Sequence, residues 1–99
     1  MIRVVIEKDK IYKRVSIIGH AMYADYGKDI VCAAASSIAT TTINGILSLD
    51  ENSLSYEVSE EGLKIEIKSD DKTTQTLIKN MINLLKELEK DYPTNIEVK

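Results

Sequence analysis

Two residues with reactive side chains lie close together in the first third of the chain. His20 is the only histidine and Cys32 the only cysteine, and twelve positions separate them in the segment GHAMYADYGKDIVCAA (19–34). A thiolate is a nucleophile, and an imidazole can remove the thiol proton and later protonate a leaving amine. These residue types can therefore cleave an amide bond if the fold brings them together. A lone cysteine, however, is more often a small buried apolar residue.

The elements predicted around this pair are able to bring it together. Residues 11–19 are predicted to form a strand and 20–28 a loop, and Asp29 is predicted to N-cap a helix from about Ile30 to Leu47. The end of a strand and the start of the next helix can meet at the rim of a sheet. Cys32 would be the third residue of this helix, where free backbone N–H groups and the helix dipole stabilise a thiolate or an oxyanion.

Other polar side chains nearby have alternative roles. Asp29 or Asp25 could orient the imidazole, although a carboxylate close to the thiol would also oppose its ionisation. Ser36 falls on the Cys32 face of the helix, where it could assist the site or bond back to a helix carbonyl. A metal held by His20, Cys32 and the two aspartates is also conceivable, but these residues lack the tight ligand spacing of a metal site. We therefore expect no metal and no cofactor.

Composition narrows the class of protein. The chain has 99 residues, so a single domain over 1–99 is expected. Its net charge of −3 argues against nucleic-acid binding, which needs clustered Lys and Arg. One cysteine cannot form an intramolecular disulfide, and the start of the sequence has no signal-peptide pattern, so a cytoplasmic location is expected.

A membrane span is the other possibility that composition raises. Residues 30–49 contain no charged side chain, and their number would suffice to cross a bilayer. Eight of these twenty residues are Ser, Thr, Asn or Gly, however. We expect a helix buried inside a small domain, with no membrane as partner, and a helix with so little polar surface could also contribute to a dimer contact.

The remaining patterns predict two hairpins and a second helix. Residues 2–8 and 11–19 form the first hairpin, and the alternating segments 54–60 and 63–69 form the second. A second helix begins at DDKTTQ (70–75), with acidic residues in its first turn, and ends before Pro93. Its predicted apolar stripe comprises Leu77, Met81, Leu84, Leu85 and Leu88. With a short terminal strand in 94–99, the order ββαββα predicts an α+β fold, two helices packed on a mostly antiparallel sheet.

The segment around the His–Cys pair resembles a known family. GHAMYADYGKDIVCAAAS (19–36) is similar to the signature of the Prp family, the ribosomal-processing cysteine proteases of low-GC bacteria. Its members carry Gly-His-Ala at the end of the second strand, then a short loop with Gly, then Asp-Ile-Val-Cys-Ala at the helix start. The chain length, the order of hairpins and helices, and the closing Tyr-x-x-Asn-Ile segment (92–96) are also similar.

The resemblance implies a cysteine endopeptidase with His20 and Cys32 as its catalytic dyad, and with Asp29 in an assisting role. It implies that the substrate is a large-subunit ribosomal protein, from which the enzyme removes a short N-terminal extension after an aromatic residue. It also implies a homodimer, and a loop between His and Cys that the substrate orders. Gly19 and Gly27 would be the hinges of that loop.

A second function stays open at this point. The uncharged, Ala-rich first helix would also suit a non-catalytic, ribosome-associated or dimerisation module whose cysteine is merely structural. The residues alone do not separate this module from a protease. The resemblance favours the protease.

Overall fold

The computed structural model describes residues 1–19 and 26–99, with the backbone alone for 26–29. Two β-hairpins alternate with two helices, and a short strand ends the chain. The elements are β1 Ile2–Asp9, β2 Ile11–Ile18, α1 Tyr26–Leu49, β3 Leu54–Ser59, β4 Gly62–Ile67, α2 Lys72–Asp91 and β5 Ile96–Val98. This order confirms the predicted α+β class, with two helices packed against a mostly antiparallel sheet.

The sheet has the strand order β3-β4-β2-β1-β5. Both hairpins pair internally in antiparallel fashion, and β2 joins them by pairing antiparallel with β4. The short strand β5 is the exception, since it pairs parallel with β1. The backbone N–H of Ile2 donates to the carbonyl of Asn95 at 2.9 Å, so the closing Tyr-x-x-Asn-Ile segment is tied to the first strand.

The core lies on the helix side of the sheet, because alternate strand residues point towards the two helices. The strands contribute Ile2, Val4, Val15, Ile17, Leu54, Ile65, Ile67 and Ile96 to it. On the other face, Arg14 forms ion pairs with Glu7 at 3.2 Å and Glu66 at 2.6 Å. These side chains are about half exposed, so their pairing contributes little to stability.

Helix α1 differs from its prediction at both its start and its surface. It begins at Tyr26, so Asp29 lies inside its first turn and is not its N-cap. A carboxylate is also favourable there, because the dipole field extends over the whole first turn, so Asp at this position does not by itself mark the boundary. Among the α1 side chains that the structure describes, from Ile30 onwards, only one stripe is buried, comprising Val31, Ala35, Ala39, Ile43 and Ile46.

The expectation that α1 is buried inside the domain was therefore wrong in extent. Only 28% of the segment Ile30–Leu49 is buried within the protein. Its length and its mean hydropathy of 1.6 would also allow a membrane span. Its buried stripe belongs to the same core as the strands, as in the core helix of a globular protein. The opposite side of the helix carries small uncharged residues and faces outwards.

Helix α2 begins after Asp71, whose carboxylate accepts a hydrogen bond from the backbone N–H of Thr74 at 2.7 Å. The acidic group is therefore the N-cap, and not a residue of the first turn as predicted. The predicted apolar stripe was partly wrong, because Leu84 is 38% exposed. The residues that α2 buries are Thr74, Ile78, Met81, Ile82 and Leu85.

One side chain of α2 ties the helix to the first hairpin. Gln75 accepts a hydrogen bond from the backbone N–H of Tyr12 at 2.8 Å and donates to the carbonyl of the same residue at 3.2 Å. It also donates to the carbonyl of Ser69 at 3.1 Å. These hydrogen bonds fix the start of α2 to β2, the strand that pairs with β4.

Asp71 makes the stability of the fold depend on pH in acid. The hydrogen bond from the Thr74 backbone, followed by that from the Ser69 hydroxyl, holds the pKa of Asp71 below its ordinary value of 3.8. A lowered pKa in the folded state means that the stabilisation is present above pH 3.8 and is lost as pH falls through the folded-state pKa. Asn can make the same cap without titrating.

We therefore expect Asp71→Ala to lower the melting temperature at pH 7 by roughly 4–8 °C. Asp71→Asn should lower the melting temperature by less. The difference in melting temperature between wild type and Asp71→Asn, followed by circular dichroism from pH 7 to pH 2, should shrink below about pH 4. A difference that stays constant over this range would contradict the role of the charge.

Candidate active site

The chain leaves the sheet at Gly19, directly before the candidate base His20. Gly19 has a φ of 77°, a left-handed conformation that favours glycine, and its N–H donates to the carbonyl of Glu61 at 3.0 Å. A Cβ at this position would lie 2.7 Å from the carbonyl oxygen of Met1. The end of β2 is thus fixed against β4 and the N-terminus. His20 itself lies outside the described residues, as does Asp25.

A second glycine shapes the same corner from the other strand. Gly62 opens β4 with a φ of 141° and pairs with Ile18. A Cβ on Gly62 would lie 2.1 Å from the carbonyl oxygen of Ile17, so a larger residue cannot fit without moving the backbone. This close approach brings the start of β4 against the end of β2, next to the point where the chain departs towards α1.

Cys32 is the seventh residue of α1, not the third as predicted. Only the first four N–H groups of a helix lack an intrahelical partner, and the dipole effect falls off within the first turn. The expectation that free helix N–H groups stabilise the Cys32 thiolate, or an oxyanion beside it, was therefore wrong. The helix-start prediction failed because it took Asp29 as the cap.

The Cys32 thiol is free, half-buried and packed against the core. It lines a cleft of about 330 Å³ between α1 and the β3–β4 hairpin, which we call the α1–β3 groove. The described residues that line it are Ile17, Cys32, Ser36, Ala39, Thr40, Ile43, Asn44, Tyr56, Val58, Ser59, Gly62 and Leu63. None of these described lining residues carries a charge.

The α1 wall of the groove has a regular spacing. Cys32, Ser36, Thr40 and Asn44 follow one another every four residues, which places them along one side of the helix. Twelve residues of helix span about 18 Å, and Cys32 lies at the N-terminal end of that span. Sequence reasoning placed Ser36 beside Cys32, and the structure confirms that both line the groove. It did not find Thr40 and Asn44 as groove residues, although their spacing from Cys32 was a usable signal.

Two further predicted residues can be placed only by their backbone. Gly27 is the second residue of α1 and Asp29 the fourth, so Gly27 belongs to the helix and not to the preceding loop. The proposed roles of Asp29 in the dyad and of Gly27 as a hinge stay predictions. Of the four possible metal ligands, only the Cys32 side chain is described, and the described part of the chain contains no cluster of three candidate ligands.

Comparison with known proteins agrees with the family resemblance of the sequence over most of the chain. The family model for the cysteine protease Prp matches residues 1–97. The ribosomal processing cysteine protease Prp of Staphylococcus aureus is 31% identical over 83 residues, which cover 81% of this chain and 78% of that protein.

Solved structures agree with the sequence relatives. The S. aureus ribosomal processing protease Prp in complex with a substrate peptide has a TM-score of 0.90 and 28% identity, over 100% of this chain and 98% of that chain. A second structure of that enzyme, with a covalently linked product peptide, has a TM-score of 0.88 and 28% identity over the same shares.

The close approach at Gly62 predicts a strong response to one added methyl group. Gly62→Ala should cost about 1–3 kcal/mol of unfolding free energy from backbone strain alone, with the clash against Ile17 in addition. Gly45→Ala is the matched control, since nothing lies within 4 Å of a Cβ there. It should raise stability by up to about 1 kcal/mol, because alanine favours a helix. Urea unfolding of both variants checks this, and equal stability would show that the β2–β4 corner is not constrained.

Proposed function

The chain belongs to the Prp family of ribosomal-processing cysteine proteases, and we propose that Cys32 is its nucleophile and His20 its general base. The observation that carries the proposal is the position of the Cys32 thiol, half-buried and lining an uncharged groove. His20 follows Gly19, whose backbone N–H bonds to the carbonyl of Glu61, in the turn before β4. The family membership makes the chain an enzyme and disfavours the alternative of a non-catalytic module.

The chemistry follows from these two side chains. His20 removes the proton from the Cys32 thiol, and the thiolate attacks the carbonyl carbon of the scissile peptide bond. The C–N bond then breaks as the imidazolium protonates the leaving amine, and a thioester remains on Cys32. His20 next removes a proton from water, which hydrolyses the thioester and regenerates the free thiol. Asp29 is proposed to assist the imidazole, and Ser36 to support the site from the next turn of α1.

The proposed substrate is the N-terminal extension of a large-subunit ribosomal protein. The relatives are named ribosomal processing proteases, and one of them binds a substrate peptide. We place the reaction in the cytoplasm, where ribosomal proteins are made, and assign it to residues 1–99 acting as one protease domain without metal or cofactor. A net charge of −3 favours association with basic ribosomal proteins. Gly19 and Gly27 are proposed as the hinges of the segment between them, which bound substrate would order.

The proposed quaternary structure is a homodimer formed through the outer face of α1. This face comprises Ile30, Ala33, Ser37, Thr41 and Ser48, all of them exposed. Ile30 is 58% exposed, and the whole segment from it to Leu49 carries no charge. A helix face of small residues without charges lets a second copy approach closely and suits a self-complementary contact about a two-fold axis.

The dyad predicts that Cys32→Ala and His20→Ala each lower cleavage by at least about a thousandfold. The measurement incubates each purified variant with a peptide spanning the extension of the ribosomal protein, and mass spectrometry identifies the products. Thr76→Ala is the matched control, since it removes a hydroxyl from an exposed position on α2. Unchanged cleavage by either dyad variant, with folding verified by circular dichroism, would reject the assigned roles.

The dimer predicts that one charge on the outer face of α1 disrupts association. Thr41→Arg places two arginines near the two-fold axis, so we expect the dimer to dissociate at least about tenfold more readily. Thr76→Arg is the control, because Thr76 is an exposed threonine on α2. Light scattering after size exclusion gives the mass. If wild type has the mass of one chain, or if both variants keep the dimer mass, this interface is wrong.

A further inference from the structure

Two apolar side chains of β3 face the helices without being covered by them. Strand residues alternate between faces, so Leu54, Tyr56 and Val58 share one face of the sheet. Leu54 is only 2% exposed, whereas Tyr56 is 51% and Val58 72% exposed. Residues on the core side of a sheet are expected to be buried, so the exposure of the last two leaves apolar surface for a partner to cover.

Tyr56 and Val58 form the wall of the α1–β3 groove that lies opposite the α1 wall. They pair across the ladder with Ile65 and Leu63, and Leu63 also lines the groove. The same groove contains Cys32. A chain lying in the groove would therefore contact Tyr56 and Val58 within a few residues of the thiol.

We propose that Tyr56 and Val58 are specificity-determining residues that bind uncharged, apolar side chains of the substrate close to the scissile bond. This inference rests on the proposed nucleophile, Cys32. The groove is proposed to accept an extended substrate segment whose side chains, within the groove, carry no charge.

The dimensions of the groove agree with an extended peptide. The α1 wall from Cys32 to Asn44 is about 18 Å long, and an extended chain rises about 3.3 Å per residue. About five residues of substrate therefore fit along this wall. Ser36, Thr40 and Asn44 present hydroxyl and amide groups that can bond with the peptide backbone, while Tyr56 and Val58 contact its side chains.

The chemistry of the lining selects against charge. A Lys, Arg, Asp or Glu side chain in this groove would lose hydration and gain no ion pair from the described lining residues. An apolar side chain would gain contact with the tyrosine ring and the valine methyl groups. The discrimination expected of a hydrophobic pocket is about tenfold to two-hundredfold.

The first experiment separates binding from cleavage. A fluorescently labelled peptide spanning the ribosomal-protein extension is titrated with Cys32→Ala protein, and anisotropy gives the dissociation constant. Adding Tyr56→Ala or Val58→Ala in this background should raise the constant about tenfold or more. Glu57→Ala is the matched control, because Glu57 lies between the two residues on the same strand, where successive side chains point to opposite faces. It should leave the constant unchanged.

The same β3 variants with Cys32 intact should show the loss mainly in KM. The rate of Cys32 alkylation by iodoacetamide should equal that of wild type, which a general loss of folding would not preserve. Equal binding and KM for wild type, Tyr56→Ala and Val58→Ala would overturn the proposal. So would dissociation of a dimer by these variants with unchanged peptide binding, because the groove would then hold a second copy of the chain.

A charge exchange provides an independent test and maps the bound segment. Each peptide of a set carries a single Lys, and the Lys position moves through the five residues on each side of the cleavage site. Wild type should cleave some of them about tenfold more slowly, and Thr40→Glu should restore cleavage at one of those positions. Lys tolerated at every position would contradict the uncharged groove. Peptide that binds through Tyr56 and Val58 but is not cut by wild type would instead reject the proposed function and leave the binding assignment in place.

Discussion

The approach of β4 to the end of β2 is the constraint on which the site depends. Gly62 lies so close to the Ile17 carbonyl that a Cβ would overlap with it, and glycine is the residue that permits this contact. The approach puts Ile17 and Leu63 opposite each other in the β2–β4 ladder, and both line the α1–β3 groove. It also lets the Gly19 N–H bond to Glu61, which fixes where the chain leaves the sheet. The contact between Gly62 and the Ile17 carbonyl thus places two residues of the groove lining, and it fixes the end of β2, to which His20 is attached through Gly19.

The groove exists because α1 buries only one narrow stripe. Three of the five buried residues in the described part of α1, 30–49, are alanine or valine, whose small side chains let the helix pack close to the sheet. Close packing at this stripe leaves the inner face of β3 uncovered beyond Leu54. The exposed sides of α1 are occupied by Ser, Thr and Asn, which tolerate both water and a polypeptide backbone. Small residues therefore serve the core on one side of the helix and the groove on another.

The sequence allowed accurate prediction wherever a pattern is local. Short segments rich in β-branched residues identified the strands of the first hairpin, and alternation those of the second, to within one or two residues. The spacing of His20 and Cys32 in their motif led to the correct family. The failures arose where tertiary context decides. The apolar stripe of α2 included Leu84 because leucine is apolar, although the helix rotation that packs Ile78 and Ile82 turns Leu84 outwards. Tyr56 and Val58 were predicted as ordinary half-buried strand residues, and only the placement of α1 shows that they are uncovered.

The start of α1 changes how the thiol can be activated. Had Cys32 been the third helical residue, free backbone N–H groups alone could have stabilised its thiolate. At the seventh position, Cys32 lies beyond the free N–H groups, and the positive end of the helix dipole is more than a turn away. In the proposed mechanism, the charge on the thiolate is therefore balanced chiefly by His20. Seven residues, 19–25, connect β2 to α1, and His20 is the second of them. The activating group is consequently attached to the fixed end of β2, and the nucleophile to a helix held by the core.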